Sequence, residues 1–574
     1  MKKIIAMLLA LVMVLGCLAA CNQTPPAETK DTTPPKETTE YVAPTQNTEK
    51  KEELGKLPLT EEDVTITIGI PHHLNTQDYE TNDYTLWIED QTGINLDFVT
   101  FSNDGNEAVT QLNLMISGNE KLPDILWGFG GVSNALMYEL GEDGYFVDIK
   151  DYFSEYGYWF WEALNQCNPG VNPKIFQYGT DPNNGALYAF PRYSESLIDS
   201  CNALAQINTQ WLEAIGAEMP TTVDELYDVL KKFAAEDPNG NGVADELPLI
   251  GYDGGYRTDI VSFVINAFVY CNDQSWFNVT DGEVWVPYTT DEYRQAMIYL
   301  NKLYSESLLS PLFYSVTSTP ELKALLNPAD EVAIGGVVGA HPTLHWEKDN
   351  AIINEYTALA PLKGATELGG YAPLRGDTYE YITFITTDAE DPVLCFKLLD
   401  FMCSQDSFLR MRYGVEGVDW EYCEEGMYSS TGGPACINVI DSAVFSSQNN
   451  KNWHYVAATV MPAIMSESSW IDDGTWASVQ TRLNAACYQS YMNGQRPEET
   501  IQKLVYNADE LAVVSNIQSQ VNSYIFESRA LFISGVMDPN DDAQWEAYLA
   551  NMKAQGMDKW LTAAQSAYTR MNSQ

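Results

Sequence analysis

"INTQWLEAIGAEMPTTVDELYDVLKKFAAEDPNGNGVADELPLIGY", Ile207 to Tyr252, contains two helical patterns, a polar loop and a short apolar strand. Thr222 precedes the second helix and Glu225 follows three residues later, which is the pattern of a capping box. The apolar side chains of that helix recur at helical spacing on one face: Leu226, Val229, Leu230 and Phe233. The segment therefore predicts a helix joined by the polar loop to a strand in an α/β domain.

The loop "EDPNGNGVADELP", Glu236 to Pro248, has oxygen-bearing residues at the spacing of a calcium-binding loop. Its candidate ligands are Asp237, Asn239, Asn241, the carbonyl of Val243, Asp245 and Glu246. Hard oxygen ligands suit Ca²⁺ better than Zn²⁺ or Cu²⁺. Position 12, where an EF-hand carries a bidentate Glu, is Pro248, and the following strand excludes a paired EF-hand. The loop predicts a calcium site, and the alternative is an Asn-Gly turn with solvated acids.

Strand and helix patterns alternate on the N-terminal side of this segment. "VTITIGI" and "NLDFVTF" are strand patterns, "YTLWIEDQTGI" between them has helical spacing that ends at Gly93, and a helix leads on to the buried strand "LPDILWG". This order predicts parallel βαβ units. Further along, "SWFNVTDGEVWVPYT" predicts a hairpin that turns at Asp281-Gly282, and the last 120 residues are mostly helical in pattern.

Length and charge limit the classes of protein. A chain of 574 residues is too long for a single core. Its 31 Lys and Arg are scattered among 80 Asp and Glu, for a net charge of −49. We therefore expect no nucleic-acid binding, because contacts to phosphates need clustered cations. The acidity is interpreted as solubility, with a cation-collecting surface as the alternative.

The N-terminus has the features of a secreted bacterial lipoprotein. "MKK" is a basic start, "IIAMLLALVMVLG" is an apolar core too short to span a membrane, and "LAAC" ends at Cys21. We expect a signal peptide over 1–20 and lipidation of Cys21, with Cys17 as the alternative. Residues 21–60 are rich in Pro, Thr, Glu and Lys, and predict a disordered tether. No second apolar stretch reaches membrane-spanning length.

The pattern "IN..WL...G...P.T.DEL...L..F...DPNGNG..DE.PL" resembles the extracellular solute-binding proteins of family 1, the lipoprotein receptors of carbohydrate ABC importers. "LWIEDQTGINLDF", "LPDILW", "GALYAFP" and "RYGVEGVDWEY" are similar to further motifs of that family, in the same order. The resemblance covers roughly residues 60 to 430. In oligosaccharide-binding members the polar loop holds one structural calcium ion, and its ligand positions match those given above.

The resemblance implies an α/β, two-lobed periplasmic-binding-protein-like type II fold with a helical C-terminal part. Lobe one is expected to comprise 61–190 and 378–425, and lobe two 191–377 and 426–574. A carbohydrate, as an oligosaccharide, would bind in the cleft and be delivered to permease subunits of an ABC importer. The expected protein is a monomer on the outer face of the bacterial cytoplasmic membrane, which it contacts only through its N-terminal lipid.

Candidate ligand-binding residues follow from their positions after strands that would end at the cleft. Aromatic rings stack on sugar faces, and planar polar groups bond hydroxyls. The candidates are Trp127, Tyr256, Arg257, His341, Trp346, Arg375 and Trp420. His341 and His345 also have the spacing of a zinc pair on a helix, but Pro342 lies between them and HExxH is absent, so a structural or hydrogen-bonding role is favoured.

Motifs of common enzymes are missing from the sequence. It contains no GxSxG, no P-loop and no GxGxxG placed after a strand. We therefore expect a binding protein and not an enzyme. The alternatives are a peptide-binding receptor, or a surface glycan-binding protein or glycoside hydrolase that is not linked to transport.

Overall fold

The computed structural model describes residues 41–573 except 42, 50, 196–202, 256, 272–274, 328–331, 341–344, 347–349, 374–377, 428–434, 442–443, 445–446, 455–456 and 463–496. The strands in these ranges are β1 (Val64–Pro71), β2 (Ile94–Phe101), β3 (Ile125–Leu126), β4 (Phe190–Ser194), β5 (Ala205–Asn208), β6 (Leu247–Ile250), β7 (Asn278–Thr280), β8 (Glu283–Trp285), β9 (Gly335–Gly339), β10 (Tyr356–Ala358), β11 (Thr378–Ile385), β12 (Trp420–Tyr422), β13 (Ile437–Val439) and β14 (Val460–Met461).

Helices separate most of the strands and dominate the C-terminal part. They are α1 (Lys51–Leu54), α2 (Asp83–Thr92), α3 (Gly105–Gly118), α4 (Asn134–Glu142), α5 (Tyr152–Glu155), α6 (Trp159–Leu164), α7 (Val171–Gln177), α8 (Thr209–Ala214), α9 (Val223–Ala235), α10 (Ile260–Ile265), α11 (Asp291–Ser305), α12 (Thr319–Leu326), α13 (Pro392–Phe401), α14 (Gln405–Tyr413), α15 (Ala508–Val514), α16 (Gln518–Ser534), α17 (Asp542–Ala554) and α18 (Met557–Asn572). Short 3₁₀ turns lie at Pro287–Thr289, Pro311–Tyr314 and Ala351–Glu355.

The first lobe is built on a six-stranded sheet with the order β14-β4-β11-β3-β1-β2. Strand β1 pairs in parallel with β2 and with β3, so the predicted βαβ units are confirmed. Helix α2 begins at an Asn82 cap and ends at Gly93, whose φ of 73° gives the left-handed turn that leads into β2. Strand β11 enters this sheet antiparallel to β3 and β4.

The second lobe is built on a four-stranded sheet with the order β10-β5-β9-β6. Helix α9 packs on it through the predicted apolar face, since Leu226, Leu230 and Phe233 are fully buried. The same core takes side chains from the C-terminal helices, such as Phe532 and Trp560. The two-lobed α/β fold with a helical C-terminal part is therefore confirmed.

Local turn signals in the second lobe also match the structure. Strands β7 and β8 form the predicted hairpin, with φ of 51° at Asp281 and 78° at Gly282. The Thr222 side chain caps α9 by accepting from the Glu225 amide at 3.2 Å. The return bond differs from a full capping box, because the Glu225 carboxylate accepts from the amide and hydroxyl of Thr221 instead.

In the part of the chain that the structure describes, three stretches join the two lobes. Strand β4 of the first sheet precedes β5 of the second, and β10 of the second precedes β11 of the first. The third is the stretch around residues 501–505, where Ile501 packs in the second core and Val505 in the first. Ligand cavities of two-lobed proteins lie beside such crossings, because the strands that form the hinge also border the cleft.

The domain division differs from the structure in one part. We assigned 426–574 as a whole to lobe two, but Val460 of β14 pairs in parallel with Tyr193 of β4 in the first sheet. Trp453 is fully buried in the first core, where its ring meets Trp127 edge-on at 5.6 Å. The stretch that contains Trp453 and Val460 therefore belongs to lobe one, because its large apolar side chains pack in the first core. The other lobe boundaries stay a prediction.

The prediction of disorder over 21–60 is wrong for its second half. The Tyr41 hydroxyl donates to the carbonyl of Pro173 at 3.2 Å, and Lys51 in α1 pairs with Glu162 at 2.7 Å. Tyr41 and Ala43 also pack against the first core. A few apolar anchors thus hold a segment whose average composition is polar. The signal peptide 1–20 and the candidate lipidation site Cys21 lie outside the described residues.

Candidate functional site

A polar cavity of 480 Å³ lies beside two of the crossing strands on the first lobe. That volume is within the roughly 300–1,000 Å³ range of small-ligand sites. The lining residues come from the carboxyl end of β3, from β4 and β11, and from three later segments: Gly130, Val132, Asn134, Arg192, Tyr379, Glu380, Tyr381, Ile382, Arg412, His454 and Lys503. This cavity is the candidate ligand site.

An ion pair spans the two hinge strands at the cavity. Arg192 on β4 stands directly opposite Glu380 on β11 in the antiparallel register, and the guanidinium binds the carboxylate. Both side chains are partly exposed toward the cavity. Because the pair joins the two crossings, it helps to fix their register.

Lys503 reaches the same cavity from the third crossing. Its Nζ lies 4.4 Å from the centroid of the Tyr381 ring, a cation–π contact. Burial lowers the pKa of Lys503 to about 8, against the opposing attraction of Glu380. The ammonium form still predominates at neutral pH, so the cavity holds a partly desolvated cation.

His454 lines the cavity together with Arg412, and His73 packs against it. The rings of His73 and His454 are stacked with centroids 5.2 Å apart. Burial lowers the pKa of His454 to about 4, with further effects from His73 and Arg412, so this imidazole is neutral at pH 7. His454 also has a φ of 57°, which is uncommon for a residue other than glycine. Its neutral Nε2 accepts from the side-chain amide of Asn449 at 3.1 Å, which holds the ring in place at the cavity.

The predicted tryptophans are buried in cores. Trp127 is 0% exposed in the first core, and its position at an open cleft edge is not what the structure shows. Trp346 is 1% exposed and stacks on Tyr356 at 4.8 Å. Trp420 is 3% exposed, and its indole donates to the carbonyl of Gly414 at 3.1 Å. Ligand contact by these three residues stays a prediction that their burial does not support.

Of the other candidates, the structure describes Arg257, and it also describes His345 of the histidine pair. Arg257 is 5% exposed, in the loop between β6 and α10. His345 is fully buried and bonds the carbonyl of Gly339 through Nε2 at 2.7 Å, while burial lowers its pKa to about 4, which suits the structural role favoured over zinc. Tyr256, His341 and Arg375 lie outside the described residues.

Backbone geometry marks the carboxyl ends of β6 and β9 as tightly constrained. Arg257 and Ala340, which follow these strands, have φ of 62° and 71°. A Cβ added at Gly339 would lie 2.4 Å from the Thr258 carbonyl oxygen, so the loop after β6 packs directly on the β9 backbone. Strained residues at both strand ends fit a site on this edge of the second sheet.

The candidate calcium loop folds back on itself at the end of α9. Asn241 donates to both carboxylate oxygens of Asp245 at 3.1 and 3.2 Å, and the Gly242 amide donates to Asp237 at 3.0 Å. Asn239 donates to the carbonyl of Ala333 at 3.3 Å, which ties the loop to the residues just before β9. In the described ranges no cluster of three or more His, Cys, Asp or Glu side chains forms a metal site, so calcium is not confirmed.

The sequence analysis missed the residues that line the cavity. A partial signal was present for Arg192 and Glu380, because each is a charge inside an otherwise apolar or aromatic strand, "FPRYS" and "TYEYITFI". Lys503 and His454 carry no comparable local signal. They reach the site only through tertiary packing of distant segments.

The model of one family matches this chain over residues 79–407, under the description "Bacterial extracellular solute-binding protein". The chain belongs to this family. The match covers more than half of the chain and includes strands of both sheets. Among the described residues, no helix has the length and apolar character needed to cross a membrane.

Three relatives illustrate the range of similar proteins. The fructooligosaccharide ABC transporter substrate-binding protein FusA of Streptococcus pneumoniae is 24% identical over 84% of this chain and 85% of its own. Lipoprotein LipO of Bacillus subtilis is 33% identical over 63% of this chain and 68% of its own. The polygalacturonan/rhamnogalacturonan-binding protein YtcQ of Bacillus subtilis is 24% identical over 60% of this chain and 64% of its own.

Solved structures of FusA have the same fold. The complex with kestose superposes with a TM-score of 0.68 at 20% identity, and covers 89% of this chain and 99% of that one. An EF-hand mutant of FusA in complex with fructo-nystose gives a TM-score of 0.67 at the same identity.

Proposed function

We propose that this protein is a lipid-anchored extracellular receptor that binds an oligosaccharide between its lobes and delivers it to an ABC importer. The observation that carries the proposal is the polar cavity beside the hinge strands in a chain of this family. The similarity to the fructooligosaccharide-binding FusA and the polygalacturonan/rhamnogalacturonan-binding YtcQ supports a carbohydrate as the ligand. The sequence "LAAC" and the similarity to lipoprotein LipO support the lipid anchor.

Binding would act through closure of the lobes. The ligand contacts the Arg192–Glu380 pair, Lys503 and His454 on the first lobe, and the loop after β6 approaches from the second. A ligand that contacts both lobes binds the closed form more tightly and shifts the population toward it. The permease would then recognise the closed form, whereas the protein itself performs no chemistry on the sugar.

Titration calorimetry of the purified mature protein against a panel of neutral and acidic glycans tests this function. We expect saturable binding of at least one glycan, no binding of a matched peptide panel, and no release of sugar products on prolonged incubation. Binding of peptides without glycans would contradict the carbohydrate ligand, and turnover of a bound glycan would contradict the receptor role.

We also propose that the loop after α9 holds a structural calcium ion. The donor set fits, because Oε1 of Glu246 is buried and accepts no hydrogen bond from the described residues. Burial raises the pKa of Glu246, and the negative charges of Asp245 and Asp237 raise it further. The holding groups would be Asp237, Asn239, Asn241, the Val243 carbonyl, Asp245 and Glu246. Bound calcium would neutralise them and fix α9 against β6 and β9.

Calcium removal is expected to lower the thermal stability of the protein. A ligand present at a hundred times its dissociation constant stabilises the fold by about 2.7 kcal/mol, so EDTA should lower the melting temperature by several degrees. Because the pKa of Glu246 is raised in the metal-free fold, the unfolded chain ionises first, and metal-free stability should decline as pH rises above the ordinary glutamate value. Calcium should remove that decline.

Matched variants separate the loop from non-specific effects of chelation. Asp245→Asn should abolish the response of the melting temperature to calcium, whereas Asp228→Asn, an exposed change on α9, should leave it intact. Identical melting curves with EDTA and with calcium would contradict the calcium site and show that the loop is an ordinary turn.

A further inference from the structure

Lys503 is a cation that has no counter-ion in contact among the described residues. Its Nζ lies over the Tyr381 ring, and within the described ranges it makes no hydrogen bond or ion pair. Glu380 attracts it through space, but that carboxylate already binds Arg192. A partly desolvated charge without a paired anion is costly, and such a charge persists in a binding site when a ligand completes it.

The charge balance of the cavity is opposite to that of the chain. In the whole sequence 80 acidic residues face 31 Lys and Arg, so a random surface of this protein is acidic. Among the described residues, the cavity lining instead contains the cations Arg192, Arg412 and Lys503 and a single carboxylate, Glu380. A local reversal of sign at a concave site selects anions, because low-dielectric walls strengthen the field there.

We propose that the ligand is an acidic oligosaccharide and that a uronate carboxylate of this ligand forms an ion pair with Lys503 in the cavity beside the hinge strands. The proposal rests on the proposed function and specifies its substrate class. The carboxylate would lie where β4, β11 and the stretch around residues 501–505 meet. Charge recognition there couples ligand binding to the hinge.

Uronate trimers and their methyl esters provide matched probes. Galacturonate, mannuronate and glucuronate trimers are titrated by calorimetry, each beside its fully methyl-esterified form, which keeps the sugar rings and removes the charge. A charge-assisted contact in a partly desolvated site should make the acid bind about 10- to 100-fold more tightly than its ester.

Variants at Lys503 assign that preference to one side chain. Lys503→Met keeps the apolar stem and should remove the preference for the acid, whereas Lys503→Arg should retain most of it. Lys559→Met, an exposed change on α18, is the control and should bind as the parent does. Melting curves of all four proteins confirm that each is folded.

The pH dependence of affinity gives a second readout. The groups around Lys503 are Glu380 and Tyr381 on β11 and Arg192 on β4, with Arg412 and His454 in the same cavity. Below pH 8 the ammonium is already protonated, so affinity for the acid should be flat from pH 6 to 7.5. Above about pH 8 binding requires proton uptake, and affinity should fall in the parent but not in Lys503→Arg.

The outcomes are distinguishable from failure of the proposed function. If neutral glycans bind and no uronate trimer binds more tightly than its ester, the acidic-ligand inference is overturned while the receptor function stands. An equal preference for the acid over its ester in the parent and in Lys503→Met would overturn the role of Lys503. Binding of sulfated glycans without binding of any uronate trimer would overturn the assignment of a carboxylate as the charged group of the ligand. If no glycan of either panel binds, both proposals fail.

Discussion

Replacing Asp400 by alanine is expected to lower the free energy of unfolding by about 3 to 5 kcal/mol, because three amide donors lose their acceptor. Asp400 lies on α13 and is 1% exposed. Its carboxylate accepts from the amides of Tyr158, Trp159 and Phe160 at 2.9, 3.1 and 2.9 Å. Those amides form the first turn of α6, which has no side-chain cap of its own. Asp400 is thus a cap supplied by a distant helix.

Urea unfolding at pH 8 measures this loss. Burial raises the pKa of Asp400 to about 7, so the carboxylate predominates at pH 8. Asp400→Asn keeps one acceptor oxygen and should lose less than Asp400→Ala. The matched control is Asp151→Ala, since Asp151 stands at the start of α5 without a side-chain cap bond and is exposed. Equal midpoints for Asp400→Ala and Asp151→Ala would show that the distant cap contributes little.

Predictions of local structure succeeded where the causes are adjacent in the chain. Helix α9 forms because Thr222 caps it and its apolar side chains recur on one face, and both features are visible in a dozen residues. The hairpin at Asp281-Gly282 depends on two residues that adopt positive φ. The order of strands and helices similarly predicts the parallel part of the first sheet.

Predictions of the site were weaker because cleft residues are brought together by distant segments. Trp127 follows a buried strand, as expected, but Trp453 packs edge-on against it and the ring is enclosed. Arg192 meets Glu380 from a strand 188 residues away. The Asp400 cap joins residues 240 positions apart at Phe160. No local pattern encodes these pairings, so only the tertiary structure assigns exposure and partners.

A second large effect is expected at Arg529 on α16, which holds the loop after β6. Its guanidinium is 5% exposed and bonds Asp253 at 2.7 Å and Asp259 at 3.0 Å. Burial alone would lower the pKa of Arg529, but the two carboxylates raise it above its ordinary value. Asp259 also caps α10 by accepting from the Ser262 amide. The C-terminal helices therefore anchor the loop that carries Arg257 to the second sheet.

Arg529→Met should lower the free energy of unfolding by about 3 to 5 kcal/mol, because it leaves two carboxylates near each other without their buried counter-ion. Adding Asp259→Asn to Arg529→Met neutralises one of the two unpaired carboxylates and should recover part of the lost stability. The asparagine amide can still cap α10. The exposed pair Lys553–Asp558 at 3.0 Å provides the control, and Lys553→Met should change stability by less than about 1 kcal/mol. Chemical denaturation of the parent, Arg529→Met, Asp259→Asn and the double variant forms a double-mutant cycle between residues 529 and 259. Lys553→Met is measured alongside as the control. A loss in Arg529→Met that Asp259→Asn fails to reduce would mean that lost packing against the Phe526 ring, 5.0 Å from the guanidinium, and not unpaired charge, accounts for the effect.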